Sequence, residues 1–175
     1  ATLKFGHYFN LTEVGTVDIT YKSDEGRFNF RVAGLIIFNN KLLVMKDERS
    51  PYYYLPGGRV ALHETTELAI KRELLEELEI HADIKRLVWT VESFFSEDVS
   101  KEKFHELAFY YEIDVTKTDL LGRGNQFILN EGGRHRLEFT WLSFDEVETA
   151  YIYPLFLKEK IMNLPTATQH IVEYE

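Results

Sequence analysis

The spacing of apolar and polar positions changes several times along the chain, and each change marks an element. Residues 15–23, GTVDITYKS, read as an edge strand, and SDEGRF follows as a turn. The run NFRVAGLIIFN (29–39) is β-branched and apolar, which suits a buried strand. Asn39 and Asn40 then read as a hairpin turn, with KLLVMKD (41–47) returning as a second strand. ERSPYYYLPGG (48–58), with its prolines and glycines, is mostly loop. From 65 to 78, TTELAIKRELLEEL, good helix formers dominate and Thr65 stands where an N-cap belongs. On that helix Leu68, Leu75 and Leu78, with Ala69 and Leu74, offer apolar surface for packing on a sheet. Two further strands are expected at 81–95 and 103–115, then a long turn-rich loop over 116–136 and a strand at 137–143. Residues 144–150 and 153–163 look helical, and the tail TATQHIVEYE is ambiguous. Residues 1–28 are mixed and polar, an N-terminal extension or an edge strand. No repeat, linker or shift of composition divides the chain, so one domain over 1–175 is expected.

Composition narrows the function classes. The 175 residues contain no cysteine, which excludes disulfides, zinc-thiolate sites and thiol catalysis. The net charge of -9 argues against tracking a long nucleic-acid backbone, which needs a basic face. It leaves small phosphorylated ligands open, because a divalent cation reverses the local sign. No apolar run reaches bilayer length, and the N-terminus lacks a basic segment followed by an apolar one. A cytoplasmic protein without a membrane partner is the expectation.

Against that acidic background one segment stands out. LPGGRVALHETTELAIKRELLEELEI (55–80) concentrates Glu64, Glu67, Glu73, Glu76, Glu77 and Glu79 just after a Pro-Gly-Gly turn. On a helix Glu73, Glu76 and Glu77 fall at i, i+3 and i+4, so they project from one side. Uncompensated, each like-charge pair at that spacing costs a few tenths of a kcal/mol. A hard divalent cation reverses the penalty, since Mg²⁺ and Mn²⁺ take oxygen ligands. The plainer reading, a solvated acidic face, competes with it on these three residues alone.

The neighbouring residues decide between the two. Gly58, Glu64, Arg72, Glu73, Leu74, Glu76, Glu77 and Ile80 fall at the spacing of the Nudix hydrolase signature, and the segment closely resembles it. The one departure is Glu79, where the signature has Gly. A helix C-cap with left-handed backbone is the natural use of that Gly, and Glu there costs about 1 kcal/mol if the conformation is kept. The strand, hairpin and YYLPGG before the box, and LEFTWLSFDEV after it, extend the resemblance over roughly 28–160.

The resemblance, to the MutT-like members of that family, implies a fold class of α/β: a Nudix-like α/β/α sandwich with a mixed β-sheet and the box as loop, helix and loop. It implies divalent-metal-dependent hydrolysis of a pyrophosphate bond in a nucleoside diphosphate linked to another group. A nucleoside triphosphate, an oxidised nucleotide and a nucleotide sugar all fit. The alternative is a Nudix-like domain that senses a nucleotide without cutting it. By resemblance, Glu73, Glu76 and Glu77 hold Mg²⁺ or Mn²⁺ with the Gly57 carbonyl, and Arg72 pairs with a carboxylate, most naturally Glu64. Glu131 and Glu106 are candidates for the general base. Arg31 and Arg59 are candidates for phosphate contacts, and Tyr54 and Phe95 for stacking a base. Phe95 and Glu97 stand where ADP-ribose and dinucleoside polyphosphate members carry Pro and Tyr, which argues against those two substrates. The implied partner is a small nucleotide, and a homodimer is left open.

Overall fold

The computed structural model describes residues 16–133 and 135–175. Its frame is a nine-stranded mixed sheet. The strands are β1 (Thr20–Ser23), β2 (Gly26–Phe38), β3 (Lys41–Asp47), β4 (Gly57–Arg59), β5 (Asp83–Ser96), β6 (Lys103–Asp114), β7 (Gln126–Glu131), β8 (His135–Ser143) and β9 (Gln169–Tyr174). They run in the order β7-β8-β3-β2-β6-β5-β9, with β1 and β4 also pairing with β2. The helices are α1 (Thr66–Leu78), α2 (Phe144–Thr149) and α3 (Leu157–Lys160).

The long apolar run is the hub. β2 pairs antiparallel with β1, β3 and β4, and parallel with β6. Val32, Leu35 and Ile36 are fully buried there. Asn39 and Asn40 both take positive φ, the twist a two-residue hairpin needs. One face of the sheet carries α1: Ile70, Leu74 and Leu78 pack with Val32, Ile36, Ile113 and Phe139. The other face carries α2 and α3: Val147, Leu157 and Ile161 pack with Leu35, Val44, Trp89 and Tyr110. Helices on both faces of a mixed sheet make the α/β/α sandwich. No helix among the described residues is long and apolar enough to cross a membrane.

Several elements differ from the sequence expectation. The loop at 116–136 contains strand β7 and a 3-10 turn at Leu120–Gly122, and β8 begins at His135. Residues 153–163 are helical only over Leu157–Lys160, and their start is extended instead, because residues 151–153 pair with Tyr53: Tyr53 N–H donates to the Tyr151 carbonyl (2.8 Å) and Tyr153 N–H to that of Tyr53 (2.9 Å). The loop 48–58 ends in β4, held against Arg31–Ala33 of β2. The ambiguous tail forms β9, parallel to β5. The edge strand at 15–23 forms over Thr20–Ser23, and residue 15 lies outside the described residues, with 1–14 before it.

The packing face of α1 also shifts. Leu68 and Leu75 are 59% and 42% exposed, whereas Ala69, Ile70, Glu73, Leu74, Glu77 and Leu78 are buried. Two carboxylates belong to the inward face. The Thr65 hydroxyl accepts from Leu68 N–H (3.2 Å), capping the helix start. At the other end Glu79 adopts φ 56°, ψ 35°, the left-handed conformation for which Gly is suited.

Candidate active site

The Pro-Gly-Gly turn enters the site as a strand. Gly57 sits opposite Ala33 at φ +145°, where an added Cβ would lie 2.2 Å from the Val32 carbonyl oxygen. This close approach requires Gly. Its N–H donates to Glu77 Oε2 at 2.8 Å. Gly58 faces the helix, and an added Cβ would lie 2.3 Å from the Glu73 carboxyl carbon. The turn and α1 are thus fitted to each other through two glutamates.

Arg72 ties the rest together. Its Nε donates to Glu64 Oε1 (2.8 Å) and its Nη2 to Glu64 Oε2 (3.0 Å), a two-pronged pair. Nη1 donates to Glu73 Oε1 (2.7 Å) and Glu76 Oε2 (3.3 Å), and Nη2 also reaches the Arg59 carbonyl (3.0 Å). Glu64 in turn accepts from Ala61 N–H at 3.0 Å. Hydrogen bonds to Glu64, then Glu73, raise the Arg72 pKa. Burial pushes Glu64 up, but Arg72 and the Ala61 amide win and hold it below its ordinary value. Burial pushes Glu77 well above the usual carboxylate range, and the charges of Glu73 and Glu131 push it the same way. Burial raises Glu73 too, against Arg72.

Beside this box opens a cavity of about 470 Å³. Glu77 and Gly57 border it, with Arg31, Tyr54, Phe95, Glu106 and Glu131. Arg31 is half-buried, with Glu106 at 3.9 Å. Burial lowers its pKa, but Glu106, Tyr110, Glu77 and Glu73 outweigh that and raise it. Burial, then the Asp47 charge, raises the Tyr54 phenol. Phe95 stacks on Phe104 with centroids 5.1 Å apart and rings 7° from parallel.

A NUDIX domain model matches residues 29–161. The chain belongs to the Nudix family. No curated protein matches it. Its fold is similar to that of a UDP-X diphosphatase (TM-score 0.56, 16% identity, 82% of this chain and 66% of that one). It is similar as well to a NUDIX hydrolase from Nitrosomonas europaea (TM-score 0.53, 17% identity, covering 84% and 79%). A MutT protein from Methanosarcina mazei Go1 shares the fold too (TM-score 0.53, 16% identity, covering 79% and 92%). Membership places this protein in the family of Nudix hydrolases.

The residues fit a hard divalent cation. Glu73 and Glu77 bring two buried carboxylates within electrostatic reach of each other, and all the side-chain donors are oxygens. Among the described residues no three acidic or histidine side chains already converge as a ligand set. Each carboxylate is turned to a protein donor instead: Glu77 to Gly57, Glu73 and Glu76 to Arg72.

Of the other residues singled out in the sequence of this Nudix protein, Arg59 lies outside the cavity. Its guanidinium is taken by Asn29 Oδ1 (3.1 Å) and Asp18 Oδ2 (3.4 Å). Sequence reasoning missed Asn29, Ser93 and Phe104, which also line the cavity. It missed Tyr153 and Asp98, joined at 2.9 Å across its rim. Burial, then that acidic partner, pushes the Tyr153 phenol up to about 12. The strand periods place Asn29 and Ser93 on the face shared with Arg31, but only the cross-strand register brings them together.

Proposed function

We propose that this protein hydrolyses a pyrophosphate bond in a nucleoside diphosphate linked to another group, with Mg²⁺ or Mn²⁺ as cofactor. The observation that carries the reading is the pair of buried glutamates, Glu73 held against Gly58 and Glu77 against Gly57, with Glu77 and Gly57 lining the cavity. Glu73, Glu76, Glu77 and the Gly57 carbonyl would hold the cation. When bound, it neutralises phosphoryl oxygens and eases formation of the nucleophile from water. Arg72 fixes the direction of Glu73 and Glu76, and Glu64 fixes Arg72. Arg31 receives a phosphate at the cavity wall. Glu131, at the end of β7, takes a proton from the attacking water. Tyr54 and Phe95 flank the organic part of the substrate. The partner is a small nucleotide, the unit is one domain over 1–175, and its place is the cytoplasm.

The test is a hydrolysis screen of the purified protein with nucleoside triphosphates, oxidised dGTP and nucleotide sugars, each with Mg²⁺ or Mn²⁺. Metal-dependent cleavage at a pyrophosphate bond is expected. Glu76→Gln and Glu77→Gln should lose most of it while circular dichroism stays unchanged. Intact turnover in either variant would remove that residue from the metal site. Nucleotide binding without cleavage of any substrate would overturn the catalytic reading in favour of a sensor.

A further inference from the structure

The floor of the cavity is laid out in rows by the sheet register. Arg31 of β2 is level with Ala108 of β6, which is level with Val91 of β5. The next row is Asn29, Glu106 and Ser93, one residue from each strand. The row after that places Phe104 opposite Phe95. Same-face rows along a strand lie about 7 Å apart. Passing away from Gly57 and Glu77, the floor therefore reads the Arg31 guanidinium, then a carboxyl set between an amide and a hydroxyl, then a stacked aromatic pair.

A nucleotide has the same order of parts: phosphates, sugar, base. Placing a phosphate at Arg31 and the base against Phe95 and Phe104 leaves the middle row one furanose ring beyond the phosphate. Glu106 is well placed there. Its two oxygens offer paired acceptor positions, the geometry that matches two neighbouring hydroxyls. Its setting is fixed: Arg31 lies at 3.9 Å, and Asn29 stands level with it on the neighbouring strand. Asn29 is itself locked, since its Oδ1 accepts from the Thr20 hydroxyl (2.7 Å) and from Arg59 Nε (3.1 Å). Arg59 thus works behind the floor, holding the amide that stands beside Glu106.

We propose that Glu106, set in one row between Asn29 and Ser93, receives the vicinal 2′,3′-diol of the sugar, so that the substrate is a ribonucleotide rather than a deoxyribonucleotide. The inference rests on the hydrolase reading above and makes its substrate class narrower. An oxidised deoxynucleotide is then a poor substrate, and a ribonucleoside triphosphate or a ribonucleotide sugar a good one.

The experiment uses substrate pairs that differ only at the 2′ position: ATP and dATP, GTP and dGTP, UDP-glucose and its 2′-deoxy form, each with Mg²⁺. The wild type should favour the ribose member of its preferred pair by about tenfold or more in kcat/KM, the value of a hydrogen bond to a charged group. In Glu106→Ala the ratio should fall to within about threefold, because the ribose arm drops further than the deoxyribose arm. Glu106→Gln keeps one acceptor and should give an intermediate ratio. A wild type without ribose preference overturns the inference, as does a ratio that survives in Glu106→Ala. Equal loss in both arms also overturns it, since that marks a base or a structural role. Binding of α,β-methylene-ADP and its 2′-deoxy form is measured alongside, so that a protein without turnover still yields a ratio. Absence of cleavage refutes the hydrolase reading; absence of ribose preference in binding refutes the role of Glu106.

Discussion

Glu79 gives the most direct test of the link between sequence and backbone. It ends α1 at φ 56°, ψ 35°, with its N–H donating to the Leu75 carbonyl (3.1 Å) and the following Ile80 N–H to that of Leu74 (3.4 Å). A non-Gly residue in this conformation carries about 1–2 kcal/mol of strain. Replacing it by Gly removes the strain but adds about 0.5–1 kcal/mol of unfolded-state freedom. Glu79 also sets a negative charge at the negative end of a helix, which costs about 0.3–1 kcal/mol at low salt when exposed. The balance for Glu79→Gly is a gain of about 1 kcal/mol, or about 2–4 °C in Tm for a chain of this size. Glu79→Ala sheds the charge and keeps the strain, so it should gain only a few tenths of a kcal/mol. Glu79→Asn, which tolerates left-handed backbone, should fall between them. Urea unfolding followed by circular dichroism measures all three at constant m-value. If Gly is no more stabilising than Ala, the strain argument fails, whatever the absolute values.

Three further outcomes concern the site. Arg72→Lys keeps the charge but cannot form the two-pronged pair with Glu64, so kcat/KM should drop about 10–100-fold; a rate within threefold of wild type would show that the fork is dispensable. Gly58→Ala should displace the Glu73 carboxylate and cost about 100-fold in rate, with a raised Mg²⁺ requirement, because its Cβ would lie 2.3 Å from that group. An unchanged Mg²⁺ titration would contradict it. The third is pH linkage. Burial raises the Glu77 pKa in the fold, so between its unfolded and folded values the native state binds more protons than the unfolded one. Its contribution is fully present below the unfolded pKa and is lost as pH rises through the folded value. In metal-free buffer, wild-type stability relative to Glu77→Gln should therefore decline from pH 4.5 upward, read from urea midpoints; a flat difference would refute it.

The box was the most legible part of the chain because its chemistry is contiguous: Glu64, Arg72 and Glu73 meet through a turn and two helical turns, and residue spacing is enough to place them. The apolar face of α1 was misread for a physical reason. Hydrophobic periodicity counts Glu73 and Glu77 as polar, so it draws the packing stripe through Leu68 and Leu75, which are exposed. Strand β7 was hidden because it is a sheet edge, with Phe127 and Leu129 only half-buried and Gly124 and Gly132 close on either side. β9 carries one buried residue, Ile171, too weak a signal for a six-residue strand. The floor of the cavity was illegible for another reason. Asn29, Ser93 and Glu106 are far apart in sequence and meet only through a parallel and an antiparallel register.

That division has a consequence for how such a protein diversifies. The metal-holding part of the site is written in one short stretch, 57–77, in which Gly57, Gly58, Glu64, Arg72, Glu73 and Glu77 contact one another. The floor is spread over three strands, and of its middle row only Asn29 touches the clamp, through Arg59. A lineage can therefore rewrite what it cleaves, one floor residue at a time, while the cleaving apparatus is inherited intact as a cassette. A designer seeking a new substrate would leave that cassette alone and edit the row of Asn29, Glu106 and Ser93.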